Sequence, residues 1–166
     1  MARMQVTHRF DADVETVYAL MSDPQFLARK YAAEGATDIQ VDSDQRSDGP
    51  QVVSRRRVTL DLPGFAKKVI APTNTIVQTD EWAPADGEGR RVCTYRVEVQ
   101  GVPSRIDGTV TLSPDGGGTR QDIDADVKVS IPLVGGKLEK LAVENGTKLL
   151  AEEAEFTAAE LAERPE

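Results

Sequence analysis

The stretch from Ser130 to Glu163 constrains this chain most. At 100° per residue, Leu138, Leu141, Ala142, Asn145, Leu149 and Phe156 share one face of a helix, and Val143, Leu150, Ala154 and Leu161 widen that stripe. Lys140, Glu144, Lys148, Glu152 and Glu155 take the opposite face. A helix of roughly 26 residues is about 39 Å long at 1.5 Å per residue, enough to cross a small domain. Something extended must lie beneath so broad an apolar stripe.

The segment before it supplies a candidate. From Asp122 to Ile131, Ile123, Ala125, Val127, Val129 and Ile131 alternate with Asp122, Asp124, Asp126, Lys128 and Ser130, the period of a strand with one wet face. Pro132 lacks a ladder donor and ends the strand, and the pair Gly135-Gly136 is expected to turn the chain so that strand and helix face each other.

From the N-terminus, Met4, Val6, His8 and Phe10 alternate in a first strand. Asp11 or Asp13 can cap a helix carrying Val14, Val17, Tyr18 and Met21, and Pro24 can open a second short helix with Phe26, Leu27 and Tyr31. Strands and turns follow: Ile39 and Val41, then Val52 to Leu60, Ile76 to Trp82, Val92 to Val99, and Ile106 to Leu112. Val69 and Ile70 read as a possible start of the Ile76 strand or a separate short piece, and Asp61 to Ala66 reads as a loop with an apolar tip at Phe65. The predicted order is strand, two short helices, about six more strands and the long helix. Strands segregated from helices indicate an α+β domain whose antiparallel sheet twists around the long helix, one domain over residues 1–166.

At this point the layout resembles the START-like, or Bet v 1-like, helix-grip superfamily (SRPBCC), which also includes polyketide cyclases. The features that carry the resemblance are Phe10-Asp11-Ala12-Asp13-Val14-Glu15-Thr16-Val17-Tyr18, Gly108-Thr109-Val110-Thr111-Leu112 and Ile131-Pro132-Leu133-Val134-Gly135-Gly136-Lys137-Leu138-Glu139. The last is similar to an uncharacterised, domain-of-unknown-function branch common in actinobacteria. The resemblance covers essentially the whole chain and implies a curved sheet of about seven strands, with a cavity under the C-terminal helix that holds apolar molecules.

Charge and motifs remove several other classes. A formal charge of -8 argues against nucleic acid, which needs clustered Lys and Arg. No run approaches the 18 or so apolar residues of a membrane span, the first residues form no apolar leader, and the expected location is cytoplasmic. Cys93 is the single cysteine, expected as a small core side chain in a chain without an internal disulfide. Gly135-Gly136-Lys137 is followed by Leu138 where a phosphate loop needs Ser or Thr. Gly116-Gly117-Gly118 precedes a strand, so a hairpin turn accounts for it, and Asn145-Gly146-Thr147 is a chance glycosylation match inside a helix. Neither a metal nor a cofactor is expected.

The candidate site is therefore a set of inward positions. His8 and Phe10 come from the first strand, Arg56, Val58 and Leu60 from the third, and Phe65 from the loop that follows. Ile76, Trp82, Tyr95, Val97, Ile106 and Val127 continue the set across the sheet, with Leu138, Asn145, Leu149 and Glu153 above them on the helix. His8, the only histidine, is read as a core residue rather than a base, and Trp82 as core rather than cage. Arg55 and Arg57 should be solvated, whereas Arg56 shares the parity of Val52, Val58 and Leu60. Pointing inward, it needs an acid such as Asp80 or Glu153, or a polar ligand.

Two functions compete. The leading one is non-enzymatic binding or transport of an apolar small molecule, and aromatics at only 5% of the chain favour an acyl or isoprenoid guest over stacked rings. The alternative is an enzyme of the cyclase or dehydratase type using Tyr95, His8, or Arg56 with Asp80. A third, partner docking on the sheet's outer face, lacks an apolar patch.

Overall fold

The computed structural model describes residues 1–164. Strand β1 (Ala2–Phe10) ends at a turn in which the Asp13 carboxylate accepts from the Thr16 amide at 2.8 Å, so Asp13 is the cap of helix α1 (Val14–Met21). Asp23 accepts from the Gln25 amide and Pro24 opens α2 (Pro24–Ala33). A meander follows through β2 (Thr37–Arg46), β3 (Gly49–Thr59), a one-turn helix α3 (Gly64–Lys67) and β4 (Thr73–Trp82). It continues through β5 (Arg91–Val99), β6 (Ser104–Asp115) and β7 (Gly118–Val129) to the long helix α4 (Gly135–Glu163).

All strands pair antiparallel in the order β1-β7-β6-β5-β4-β3-β2, so the first strand closes on the last. This is the α+β helix-grip architecture expected, a curved seven-stranded sheet with a long helix across its inner face. Register sets one parity inward: Met4 pairs with Ala125, Tyr95 with Gly108, Asp80 with Tyr95, and Arg56 with Ile76. On the outer face, Arg3 is ion-paired to Asp124 and Arg96 to Asp107.

Local departures from the expected boundaries have identifiable causes. Val69 and Ile70 are not strand: the amides of both bond back to Ala66 and extend the turn of α3. That helix occupies part of the stretch expected to be an irregular loop. β7 stops at Val129, two residues short of Ile131: the Ser130 amide still donates to the Pro103 carbonyl opposite it, but Pro103 has no N–H to return and the ladder ends there. Beside it, the Glu139 carboxylate takes the Val129 amide at 2.9 Å. The left-handed residue of the following turn is Leu133, with φ 72°, rather than either glycine. Gly135 serves a different need, since a Cβ there would run into the Val129 carbonyl as α4 starts against the strand end.

Helix α4 is anchored at both ends, and at mid-length its Gly146 rests against Met4 of β1, where a Cβ would lie 3.1 Å from the Met4 Sδ. Near its start Leu138 is buried with Leu62, Ala66 and Val129. Near its end Phe156 and Leu161 pack on the α2 cluster of Leu20, Phe26, Leu27 and Tyr31, and Arg29 is ion-paired to Glu160. Each buried large side chain contributes on the order of 1.5–3 kcal/mol, so the two anchors hold the helix firmly. In the middle, Leu149 keeps 37% of its surface although it faces the sheet. Asn145-Gly146-Thr147 lies in this helix, with the Thr147 hydroxyl donating to the Val143 carbonyl.

Candidate ligand-binding cavity

Space remains between the helix and the sheet. It consists of a chamber of about 330 Å³ and a second of about 210 Å³, joined along Leu60, Ile76, Val97, Ile106, Ala142 and Asn145, which border both. The first alone falls within the range of about 300–1,000 Å³ typical of small-molecule pockets.

Thirteen of the sixteen positions expected from the sequence border this space. Phe10, Arg56, Leu60, Ile76, Trp82, Tyr95, Val97 and Ile106 face the first chamber from the sheet, with Asn145, Leu149 and Glu153 above them on α4. Val127 and Leu138 face the second. Three do not belong. His8 turns its Nδ1 to the Gln121 side-chain oxygen at 3.0 Å, and Gln121 rather than His8 faces the chamber. Val58 is half-buried opposite Asn74, whose amide donates to the Ala71 carbonyl, outside both chambers. Phe65 does not cover the mouth: it packs on the Leu62, Ala66 and Leu138 cluster with the Lys137 ammonium 5.7 Å from its ring centre.

Tyr95 owes its position to a glycine. A Cβ on its cross-strand partner Gly108 would lie 2.8 Å from the ring's Cε1 and 2.7 Å from the Asp124 carbonyl. The bare backbone of β6 therefore gives the phenol room beside it. Trp82 belongs to the cluster of Phe10, Val17 and Leu112, with the Tyr18 ring edge-on at 5.1 Å, and its indole also faces the first chamber. Cys93 is buried and free, and burial pushes its thiol up.

Beside these apolar walls the first chamber has a charged end that the strand pattern alone did not assemble. Lys30 and Tyr31 reach it from α2, Arg56 from β3, Gln78 and Asp80 from β4, and Glu153 from α4. The Lys30 ammonium is 3.4 Å from the Glu153 carboxylate, with both side chains about six-sevenths buried (14% and 16% exposed). Burial, the largest single influence, would lower Lys30, but Glu153 together with Tyr31, Glu34 and Asp80 outweighs it and raises it. Burial opposes the Glu153 charge too, yet Lys30, a hydrogen bond with Glu34 and Arg56 hold that carboxyl below its usual range. Glu34 absorbs the difference: burial, then its hydrogen bond and repulsion with Glu153, push it up to about 9.

Arg56 is 8% exposed, and its guanidinium lies 3.8 Å from the centre of the Tyr31 ring. Its Nη2 donates to the Gln78 side-chain oxygen at 3.4 Å, and the Gln78 amide donates onward to Asp80 at 3.0 Å. Burial raises Asp80, partly offset by that amide. Neither Arg55 nor Arg57 shares this burial. The residues missed from the sequence, Lys30, Tyr31 and Gln78, had one usable signal: Leu27 and Tyr31 at i and i+4 aim a face of α2 inward, carrying Lys30 to its border.

Among the described residues no group of His, Cys, Asp or Glu is placed to hold a metal, and no helix is long and apolar enough to cross a membrane.

The same fold occurs in solved structures of low sequence identity. A Thermus thermophilus protein is 22% identical with a TM-score of 0.65, covering 95% of this chain and 98% of that one. The Zhui aromatase/cyclase from a Streptomyces species is 13% identical with a TM-score of 0.66, covering 96% and 92%. Ara h 8.0201, a Bet v 1 allergen, is 9% identical with a TM-score of 0.64, covering 98% and 99%. In sequence, an uncharacterised protein of Mycobacterium tuberculosis is 27% identical over 157 residues, 89% of this chain and 90% of its own length. With the family model matched across residues 5–161, the chain belongs to DUF2505, a protein family of unknown function, on the Bet v 1-like helix-grip fold.

Proposed function

We propose that this protein binds, and carries, an apolar small molecule with an acyl or isoprenoid-like body in the two joined chambers beneath α4. The observation that carries this reading is a long helix fixed at both ends over a largely aliphatic space that side chains leave unfilled. Leaving such walls unfilled forfeits dispersion contacts, so an empty cavity of this kind is a standing cost that a guest removes. A reducing cytoplasmic setting suits the free, buried Cys93.

The test uses a neutral solvatochromic dye, Nile red, and native mass spectrometry of gently purified protein. Saturable dye binding, displaced by extracted lipid, is the expected outcome. Protein that takes up neither dye nor lipid does not function this way.

A second reading, an enzyme of the cyclase or dehydratase type, is favoured by one observation: Arg56, Asp80 and Tyr95 border one chamber, with Asp80 and Tyr95 directly paired. His8 faces Gln121 and has no part in it. Turnover of a poly-β-ketone mimic, lost in Asp80→Asn with dye binding intact, distinguishes this reading from carriage.

A further inference from the structure

Arg56 is a buried cation without a carboxylate of its own. Among the described residues it makes no ion pair within 4.0 Å: Glu153 is engaged by Lys30 and Glu34, and Asp80 by the Gln78 amide. One of its terminal nitrogens, Nη2, reaches Gln78 at 3.4 Å, while the other, Nη1, is buried with no partner. A guanidinium presents five donors in a rigid fork shaped to take two carboxylate oxygens, and an uncompensated buried charge is among the costlier features a fold can retain. The Tyr31 ring lies against that guanidinium, its centre 3.8 Å away, and the Arg56 side chain borders the first chamber.

The rest of the space carries no buried charge: at the second chamber's rim Asp61 and Arg105 are exposed, and Arg105 is ion-paired to Asp107. Beyond Gln78 the walls become Ile76, Val97 and Ile106, then Val127 and Leu138 in the second chamber. A guest that satisfies both ends has one anionic oxygen pair and one hydrocarbon tail. A planar polar ring or a second charged group would leave polar atoms unpaired against aliphatic side chains.

We propose that Arg56 receives the carboxylate head of an amphipathic monocarboxylic acid whose tail runs beneath α4 toward Leu138, a proposal that rests on the ligand-binding reading above. Local charge is consistent with a single anion. Lys30 and Glu153 cancel each other, and Glu34, pushed up to about 9, is neutral at pH 7. That leaves the Arg56 charge facing an Asp80 that burial disfavours as an anion.

The experiment compares cis-parinaric acid with cis-parinaryl alcohol, two fluorescent probes with the same tail, on the full chain at pH 7. The acid is expected to bind about tenfold more tightly or better, the size of one charge-assisted hydrogen bond or more. In Arg56→Leu the ratio of acid to alcohol affinity falls to about one, circular dichroism confirming the fold. Equal affinity for acid and alcohol in the wild type overturns the proposal and needs no variant. An acid preference that survives Arg56→Leu also overturns it. If Nile red binds and the acid preference is absent, only the head-group assignment falls; if no probe binds, the cavity reading falls with it.

Discussion

The two chambers beneath α4 share walls from β4, β5, β6 and β7 and the same helix, yet only one of them contains buried charge. The second chamber is walled mainly by aliphatic residues such as Leu62, Val99, Val129 and Leu141, and its polar neighbours Asp61, Ser104 and Arg105 come from strand ends and loops. The first adds α2 as a further wall, and with it Lys30 and Tyr31. The sheet and α4 supply the tail-binding body, and α2, crossing one end, converts that end into a polar terminus. At the other end the segments flanking α3 contribute Leu62 and Ile70 instead, and the buried part of that terminus stays apolar.

The largest test of this division is the Lys30–Glu153 pair. Glu153→Leu leaves Lys30 and Arg56 without their ionised partner on α4, with only Asp80 and Glu34 nearby, and removing one partner of a buried pair costs about 3–5 kcal/mol. The double variant Lys30→Met/Glu153→Leu removes both charges and is expected to recover most of that loss, because a buried pair adds little net stability over apolar residues of similar volume. Urea midpoints of wild type, Lys30→Met, Glu153→Leu and the double variant give the coupling. A double variant no more stable than Glu153→Leu would mean that the polar end is held together by something other than this pair.

Gly108→Ala comes next. Its new methyl meets the Asp124 carbonyl, the Ala125 Cβ and the Tyr95 ring within 2.7–2.8 Å, and two of those three cannot swing aside. A loss of about 1–3 kcal/mol is expected, typical of overpacking. The companion Tyr95→Leu/Gly108→Ala relieves only the ring clash, so its partial recovery measures how much the ring, rather than the backbone of β7, sets the position of this wall.

Ala142→Phe probes the junction, since Ala142 borders both chambers. The added ring enters open space, so the melting midpoint should shift by only about 2–4 °C. Nile red affinity should fall about tenfold, equivalent to about 1.4 kcal/mol. Unchanged dye binding with an unchanged fold would place the guest outside the joined space and erase the distinction between its two ends.

How much of this could be seen in the sequence follows from the same contrast. The aliphatic chamber was legible because each wall residue obeys a period: Ile76, Val97, Ile106 and Val127 by strand parity, Leu138 and Leu149 by helical spacing. Arg56 was legible for the same reason, as a charge on an inward parity. The rest of the polar end was not, because it is an encounter between elements distant in sequence, and parity carries no record of which helix crosses which strand. Lys30 looks like any solvated lysine until α2 is laid over the sheet. Parity also overreached: it placed His8 and Val58 inward correctly as to face, but not whether cavity or neighbour would receive them. The turn before α4 was assigned to its glycines, whereas Leu133 takes the positive φ and Gly135 is reserved for the close approach to Val129.

The smallest effect concerns Glu34, through which the polar end senses pH. Facing it are Glu153, Lys30 and Arg56, with Tyr31 and Asp80 in the same cluster. Its folded pKa of about 9 lies above the ordinary glutamate value of 4.5, so between those limits the folded protein holds a proton that the unfolded chain has released. Stability contributed by Glu34 is therefore complete below about pH 4.5 and is lost as pH rises toward 9, by up to about 1.4 kcal/mol per unit for one proton. Asp80, also raised, acts in the same direction from a lower starting point, whereas the depressed Glu153 changes nothing above pH 4.5. Glu34→Gln keeps the shape and fixes the neutral state. Its urea midpoint should match wild type at pH 5, exceed it at pH 8, and fall more slowly with pH between them. Parallel slopes in the two proteins would show that Glu34 ionises freely, and the Glu153 carboxylate would then have to be shared by Lys30 and Arg56 in the absence of any proton on its neighbour.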